Sequence, residues 1–163
     1  MKSIFCVLSL SCLFSCHLDQ GKEYLASISS LPAFDMLLMD SSTVFHAKQI
    51  PDGKSIVVLY FRPDCIHCQK ETNMLLSHIE ALRNVQIYLL TGASFEDVKK
   101  YYKSYHLDKY QNITVGKDYE HSFTRIFKPT SIPYMAIYDT DKKLKRIYYG
   151  EVDIDILISS VHA

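Results

Sequence analysis

The stretch VVLYFRPDCIHCQKE, residues 57–71, decides how the chain is interpreted, because an apolar run stops there and two cysteines follow. The run extends from Ser55 to Phe61 and has seven residues, five of which are Ile, Val, Leu or Phe. An uninterrupted apolar run of this kind predicts a strand that is buried on both faces, as in a parallel or mixed sheet.

Beyond the cysteines the hydrophobic period becomes helical. Leu75, Ile79 and Leu82 recur at helical steps, which predicts a helix of roughly four to five turns. Cys65 and Cys68 therefore lie where a strand ends and a helix begins. With two residues between them, they could form a structural disulfide, bind a metal ion or act as a redox pair.

The predicted junction favours the redox pair. The first turn of a helix has unpaired N–H groups and the positive end of the helix dipole, and both stabilise a thiolate. Cys65, at the start of the helix, is therefore the expected attacking sulfur. Cys68, one turn deeper, is expected to resolve the mixed disulfide. No separate cofactor is expected, since the Cys65–Cys68 disulfide is itself the redox group.

Two neighbouring side chains could adjust the thiolate in opposite directions. A protonated His67 would stabilise the Cys65 thiolate, which would favour the dithiol and make the disulfide more oxidising. The Asp64 carboxylate would disfavour a second negative charge, or it could cap the helix. For His67 two alternatives stay open, namely this role or an exposed position on the helix surface.

The remainder of the chain alternates between strand and helix patterns. A hairpin is expected over Phe34–His46, and strands over Val85–Leu90 and Ile113–Val115 flank a helix with Ser94 as its N-cap. A second hairpin and a last helix capped by Asp153 end the chain. This order predicts an α/β fold with a central mixed β-sheet flanked by helices.

A Cys-x-x-Cys motif between a buried strand and a long helix, with Ile132–Pro133 entering a later strand, resembles the thioredoxin fold. The N-terminal β-hairpin and the inserted helix-strand over about 94–115 resemble membrane-anchored thiol-disulfide oxidoreductases of the TlpA and ResA type. The resemblance covers Pro32 to the C-terminus. It implies that Pro133 is cis, packs against the cysteines and, with Ile132, shapes the groove that binds an extended substrate.

Glu71 extends the motif to Cys-x-x-Cys-x-x-Glu. The ResA-like resemblance implies that this glutamate handles the proton that the buried Cys68 thiol must lose. The alternative is a solvated helix residue that pairs with a lysine. The chain departs from the thioredoxin pattern at Leu59, where the family has a buried aspartate, and it has no tryptophan. The loss of that aspartate places more weight on Glu71.

The redox direction is less well determined by the sequence. His67 favours an oxidising pair, whereas Ile132 before the proline and the resemblance to TlpA and ResA favour a reducing one. We expect the protein to reduce the disulfides of its partners. The implied partners are protein disulfides or dithiols and an electron donor or acceptor in the membrane.

The N-terminus has the pattern of an exported lipoprotein. Residues 1–15 are expected to form a signal peptide, with a basic start and an apolar region that is too short to span a bilayer. The sequence Leu13-Phe14-Ser15-Cys16 predicts lipidation of Cys16. Residues 16–31 are expected to form a tether and residues 32–163 the thioredoxin-like domain. The predicted location is the cell envelope, on the periplasmic side of a membrane.

Composition limits the other function classes. The 18 basic and 18 acidic residues balance, which argues against a nucleic-acid binder. In the main alternative, the cysteine pair and a histidine bind zinc or copper, as in a metal chaperone. A closed zinc site needs four ligands, and the chain has no second Cys-x-x-Cys motif, so no metal is expected. A fixed disulfide between Cys65 and Cys68 would close too small a loop to constrain much unfolded chain.

Overall fold

A mixed seven-stranded sheet forms the centre of the protein. The computed structural model describes residues 21–162. The strands are β1 Asp35–Leu38, β2 Val44–His46, β3 Ile56–Tyr60, β4 Gln86–Thr91, β5 Ile113–Lys117, β6 Tyr134–Tyr138 and β7 Leu144–Tyr149. They lie side by side in the order β2-β1-β5-β4-β3-β6-β7. β3, β4 and β5 are parallel to one another, and the other neighbouring pairs are antiparallel.

Helices cover both faces of this sheet. Residues 21–28 are helical and form α1; the later helices are α2 Ile66–Ser77, α3 Phe95–Ser104, α4 Ser122–Phe127 and α5 Ile154–His162. On one face α2, α3 and α5 bury Leu75, Val98 and Leu157 in a common core. On the other face α1 and α4 bury Ile28 and Phe123 in a second core. The predicted α/β fold with a central mixed sheet is therefore confirmed.

β3 is the strand that positions the cysteines. The side chains of Ile56–Leu59 alternate between the two cores, and all of them are completely buried. β3 pairs in parallel with β4 and in antiparallel fashion with β6, so its register is fixed on both sides. At its carboxyl end Tyr60 pairs with Tyr134. This pairing brings the start of β6 beside the segment that leads to the cysteines.

The helix after the cysteines is shorter than predicted. α2 ends at Ser77, and the Nδ1 atom of its C-cap residue, His78, lies 3.0 Å from the Met74 carbonyl oxygen. The backbone then continues in turns whose N–H groups donate three residues back, as from Leu82 to the Ile79 carbonyl at 3.0 Å. These turns keep Leu82 completely buried. The spacing of Leu75, Ile79 and Leu82 therefore predicted a longer helix, although α2 ends at Ser77.

The other elements follow the predicted order. The first hairpin is β1–β2, the second is β6–β7, and α3 with β5 forms the inserted helix-strand. The Ser94 hydroxyl accepts a hydrogen bond from the Asp97 N–H at 3.1 Å, as expected of an N-cap. The Asp153 carboxylate accepts one from the Asp155 N–H at 2.9 Å at the start of α5.

Residues 21–31, which the sequence assigned to the tether, pack against the sheet. Ile28 is completely buried, and the Tyr24 hydroxyl donates to the Phe127 carbonyl at 2.7 Å. The Leu31 N–H donates to the Lys142 carbonyl at 2.9 Å. The folded unit therefore includes residues 21–31, upstream of the position where the sequence placed the start of the domain.

Candidate active site

The two cysteines lie at the start of α2, just beyond the carboxyl end of β3. Cys65 is the N-cap residue, and its carbonyl accepts a hydrogen bond from the Gln69 N–H at 3.0 Å. Cys65 is partly exposed, Cys68 is completely buried, and both are free thiols. The outer sulfur is therefore accessible to a partner molecule, whereas the inner sulfur is shielded from solvent.

Asp64 does not cap the helix. Its carboxylate forms a two-point ion pair with the Arg62 guanidinium, with distances of 3.0 Å from Nε and 2.6 Å from Nη2. The hydrogen bond with Arg62 lowers the pKa of Asp64. Both side chains are exposed, so the pair contributes little to stability. It does offset the negative charge that was expected to oppose a thiolate at Cys65.

Cys68 cannot ionise readily on its own. Burial raises the pKa of its thiol far above the usual range, a hydrogen bond from the Arg62 backbone lowers it, and the neighbouring Cys65 and Glu71 raise it further. Because a thiolate rather than a thiol attacks a disulfide, Cys68 needs a nearby group that can accept its proton.

Glu71 lies one turn after Cys68 and is almost completely buried, with 2% of its surface exposed. Burial raises its pKa to about 7, although a hydrogen bond from the Val152 N–H to Oε2, at 3.0 Å, opposes the shift. The other carboxylate oxygen, Oε1, is buried and has no hydrogen-bond partner. The alternative of a solvated residue paired with a lysine is therefore wrong. A carboxyl with a pKa near neutral can both accept and release a proton under physiological conditions.

His67 does not form its hydrogen bond with Cys65. Its Nδ1 atom lies 2.5 Å from Oε1 of Glu151, on the segment that follows β7. Lys70 approaches the same carboxylate oxygen at 3.6 Å. His67 thus occupies an exposed position on the helix surface, as one of the two alternatives held, but it has a specific charged partner there.

Ile132 and Pro133 directly precede β6, whose first residue, Tyr134, pairs with Tyr60 at the end of the strand that leads to the cysteines. The peptide bond between Ile132 and Pro133 is cis. Pro133 is buried, and its carbonyl accepts a hydrogen bond from the Gly150 N–H at 2.8 Å. Ile132 is half-buried and packs against the core that contains Cys68. Ile132 is therefore the more accessible of the two side chains.

An open groove extends from this region. Its volume is about 1080 Å³, and its lining includes residues 62–64, Ile132, Lys100 of α3 and Tyr105, the residue that follows α3. An open cleft of this volume, lined by Asp64 directly before Cys65, can hold a segment of a partner protein. α3 belongs to the inserted helix-strand, so the insertion forms one wall of the groove.

Several groups at the site were missed in the sequence. Glu151 and the Val152 N–H contact His67 and Glu71, respectively, from 84 and 81 residues further along the chain. Tyr101 packs on Phe61, with ring centroids 4.7 Å apart, in the core that also contains Cys68. No local spacing signals these contacts, because they depend on how distant elements pack.

The lipoprotein prediction and the metal-binding alternative concern other features of the chain. Cys16 and the predicted signal peptide lie outside the described residues. None of the helices within 21–162 has the length and apolar character needed to cross a membrane. Over the same residues, no three His, Cys, Asp or Glu side chains come together as potential metal ligands. The described geometry therefore does not favour the metal-binding alternative.

Comparison with solved structures identifies the fold. A secreted disulfide oxidoreductase of Mycobacterium tuberculosis, described as homologous to Escherichia coli DsbE, matches with a TM-score of 0.66 and 18% identity, over 83% of this chain and 96% of that chain. StoA from Bacillus subtilis matches with a TM-score of 0.62 and 13% identity, over 81% of this chain and 98% of that chain. DsbF of M. tuberculosis matches with a TM-score of 0.63 and 21% identity, over 83% of this chain and 95% of that chain.

These likenesses establish a thioredoxin-like fold for this chain, in agreement with the resemblance of its motif. No protein-family model matches the sequence, and no curated protein matches it either.

Proposed function

We propose that the protein is a thiol-disulfide oxidoreductase that exchanges disulfides with other proteins through Cys65 and Cys68. The observation that carries this proposal is the arrangement of three groups at the start of α2. A partly exposed thiol precedes a completely buried one, and a buried carboxyl with a pKa of about 7 follows one turn later. A structural cysteine pair has no need of the third group.

In the reducing direction, the Cys65 thiolate attacks one sulfur of a partner disulfide. A Cys65–partner bond forms, the partner's own S–S bond breaks, and its second sulfur leaves as a thiolate that takes up a proton. Cys68 then loses its proton to the Glu71 carboxylate and attacks the Cys65 sulfur. The Cys65–Cys68 disulfide forms and the partner's first sulfur is released, so the partner gains two electrons that the pair loses.

Glu71 is proposed as the proton acceptor in the second step. Its pKa lies near neutrality, so a useful fraction is ionised when Cys68 must be deprotonated. Leu59, which stands where thioredoxins have a buried aspartate, is itself completely buried and cannot take this role. The proton later passes from Glu71 to the leaving sulfur or to water.

The proposed setting is the cell envelope. The protein would be held to a membrane by lipid on Cys16, with the domain on the periplasmic side, and a membrane electron donor would return the pair to the dithiol. The secreted oxidoreductase of M. tuberculosis supports such a location by its fold likeness. The half-buried Ile132 and the adjacent groove would bind the extended segment of a protein substrate. We propose reduction as the physiological direction.

A redox titration tests the function. The purified protein is equilibrated in glutathione buffers of graded potential, and free thiols are then labelled with a mass tag. We expect a reversible two-electron transition of Cys65 and Cys68 in the range of about −120 to −270 mV that working pairs occupy. A pair that stays oxidised below about −300 mV would behave as a structural disulfide and would contradict the proposal. Stoichiometric zinc or copper held by both thiolates in native mass spectra would support the metal-binding alternative instead.

A further inference from the structure

The segment that follows β7 closes against α2 at Glu71. The Val152 N–H donates to Oε2 of Glu71 at 3.0 Å, and Val152 itself is buried. The preceding residue, Glu151, reaches outward, where its Oε1 lies 2.5 Å from Nδ1 of His67 and 3.6 Å from Nζ of Lys70. His67 and Lys70 are three residues apart and share one face of the helix. His67 and Lys70 together hold the Glu151 carboxylate, and Glu151 directly precedes Val152, whose N–H donates to Glu71.

Glu151 is therefore linked to Glu71 in two ways. It is the neighbour of Val152 in the chain, so its position affects the hydrogen bond that Glu71 accepts. Its negative charge also contributes to the raised pKa of Glu71. The hydrogen bond with His67, followed by the charge of Lys70, lowers the pKa of Glu151 itself, so Glu151 stays ionised at neutral pH.

Two segments meet at Glu71 through its hydrogen bond with the Val152 N–H, and both carry ionisable groups. Those on and at the start of α2 are Cys65, His67, Cys68 and Lys70, and those on the segment after β7 are Glu151 and Asp153. Asp153 binds the Asp155 N–H and caps α5. Of the two acidic residues, Glu151 is the one that contacts His67, and it also directly precedes Val152, whose N–H donates to Glu71.

We propose that Glu151 is a positioning residue for Glu71, and that His67 acts on Cys68 through Glu151 and Glu71 instead of by stabilising the Cys65 thiolate. This inference rests on the proposed function, because that function makes Glu71 the proton acceptor for Cys68. The negative charge of Glu151 favours the protonated form of Glu71. A protonated His67 partly neutralises Glu151 and so weakens that effect. Removing each partner should therefore shift the titration of Glu71 in opposite directions.

The titration of the Glu71 carboxyl, followed by carbon-13 NMR in the reduced protein, tests this coupling. Glu151→Gln should lower the midpoint by about half a pH unit, the size expected for a partly exposed charge pair. His67→Gln should raise it by a similar amount. In the double variant the His67 substitution should have no further effect, because its action requires Glu151.

Matched controls are available in the same chain. His78→Gln replaces an exposed histidine at the other end of α2, and Glu96→Gln breaks an exposed pair with Lys100, whose atoms are 2.8 Å apart. Neither should move the Glu71 midpoint. The pH dependence of Cys65 alkylation is measured in the same samples, and His67→Gln should leave it unchanged.

Two results would overturn the inference. One is an unchanged Glu71 midpoint in both Glu151→Gln and His67→Gln. The other is a shift of the Cys65 alkylation profile by His67→Gln that persists in the Glu151→Gln background, since that would place His67 directly on the thiolate. The NMR titration needs no catalytic turnover. A failure of the proposed function would appear in the redox titration with glutathione and is therefore distinguishable from a failure of this coupling.

Discussion

Glu71→Gln is expected to change how the stability of the protein depends on pH. Burial raises the pKa of Glu71 from 4.5 to about 7, so the folded protein binds this proton more tightly than the unfolded chain does. The stabilisation is fully present below the unfolded pKa of 4.5 and is lost as the pH rises through the folded pKa of about 7. The difference of 7 − 4.5 = 2.5 pH units, at about 1.4 kcal/mol per unit, corresponds to about 3 kcal/mol.

Urea unfolding of the reduced protein at a series of pH values measures this effect. Between about pH 4.5 and about pH 8, the free energy of unfolding of the wild type should fall by up to about 3 kcal/mol more than that of Glu71→Gln. The glutamine still offers an oxygen to the Val152 N–H but does not titrate. Its amide nitrogen has no evident partner near the position of Oε1, so the absolute stability drops and the slope with pH is the informative quantity.

An exposed carboxylate provides the control for this measurement. Glu96→Gln on α3 should follow the pH dependence of the wild type, since Glu96 pairs with Lys100 at the surface. The reasoning is refuted if the curves of the wild type and Glu71→Gln remain parallel within about 0.5 kcal/mol over the whole pH range. Parallel curves would mean that Glu71 titrates in the folded protein much as it does in the unfolded chain.

Two further substitutions test the packing of the fold by urea unfolding. In Gly92→Ala the new Cβ would lie 2.8 Å from the Tyr60 hydroxyl, and the free energy of unfolding should fall by about 1–3 kcal/mol. Gly21→Ala is the control, since nothing lies within 4 Å of its new Cβ. If Gly92→Ala is as stable as the wild type, Tyr60 simply moves aside. Tyr24→Phe removes the 2.7 Å hydrogen bond to the Phe127 carbonyl and should cost about 1 kcal/mol. Unchanged stability would mean that α1 is not held by this bond.

The parts of the fold that local pattern determines could be predicted. Residues 55–61 were recognisable as a doubly buried strand because both faces of β3 meet a core, so the consecutive residues Ile56–Leu59 are all apolar. The location of Cys65 and Cys68 at the strand-to-helix junction followed directly. The end of α2 could not be located, since the turns that follow Ser77 keep Leu82 buried with nearly helical spacing.

The environment of the site residues could not be obtained in this way. Glu71 was a candidate from its distance to Cys68, but its burial depends on the Val152 segment, which is 81 residues away. The partner of His67 is likewise 84 residues distant. The packing of residues 21–31 was also missed, because one buried side chain, Ile28, and one tyrosine hydroxyl anchor an otherwise polar and small-residue segment.

Trapping with Cys68→Ser tests the central claim most directly, namely that Cys65 attacks and Cys68 resolves. The variant is incubated with a disulfide-bonded model protein, excess thiol is blocked, and the products are analysed by mass spectrometry. We expect a mixed disulfide through Cys65 in Cys68→Ser and none in Cys65→Ser, since Cys68 is completely buried. The account is contradicted if Cys68→Ser traps no partner, or if Cys65→Ser traps one through Cys68 to the same extent.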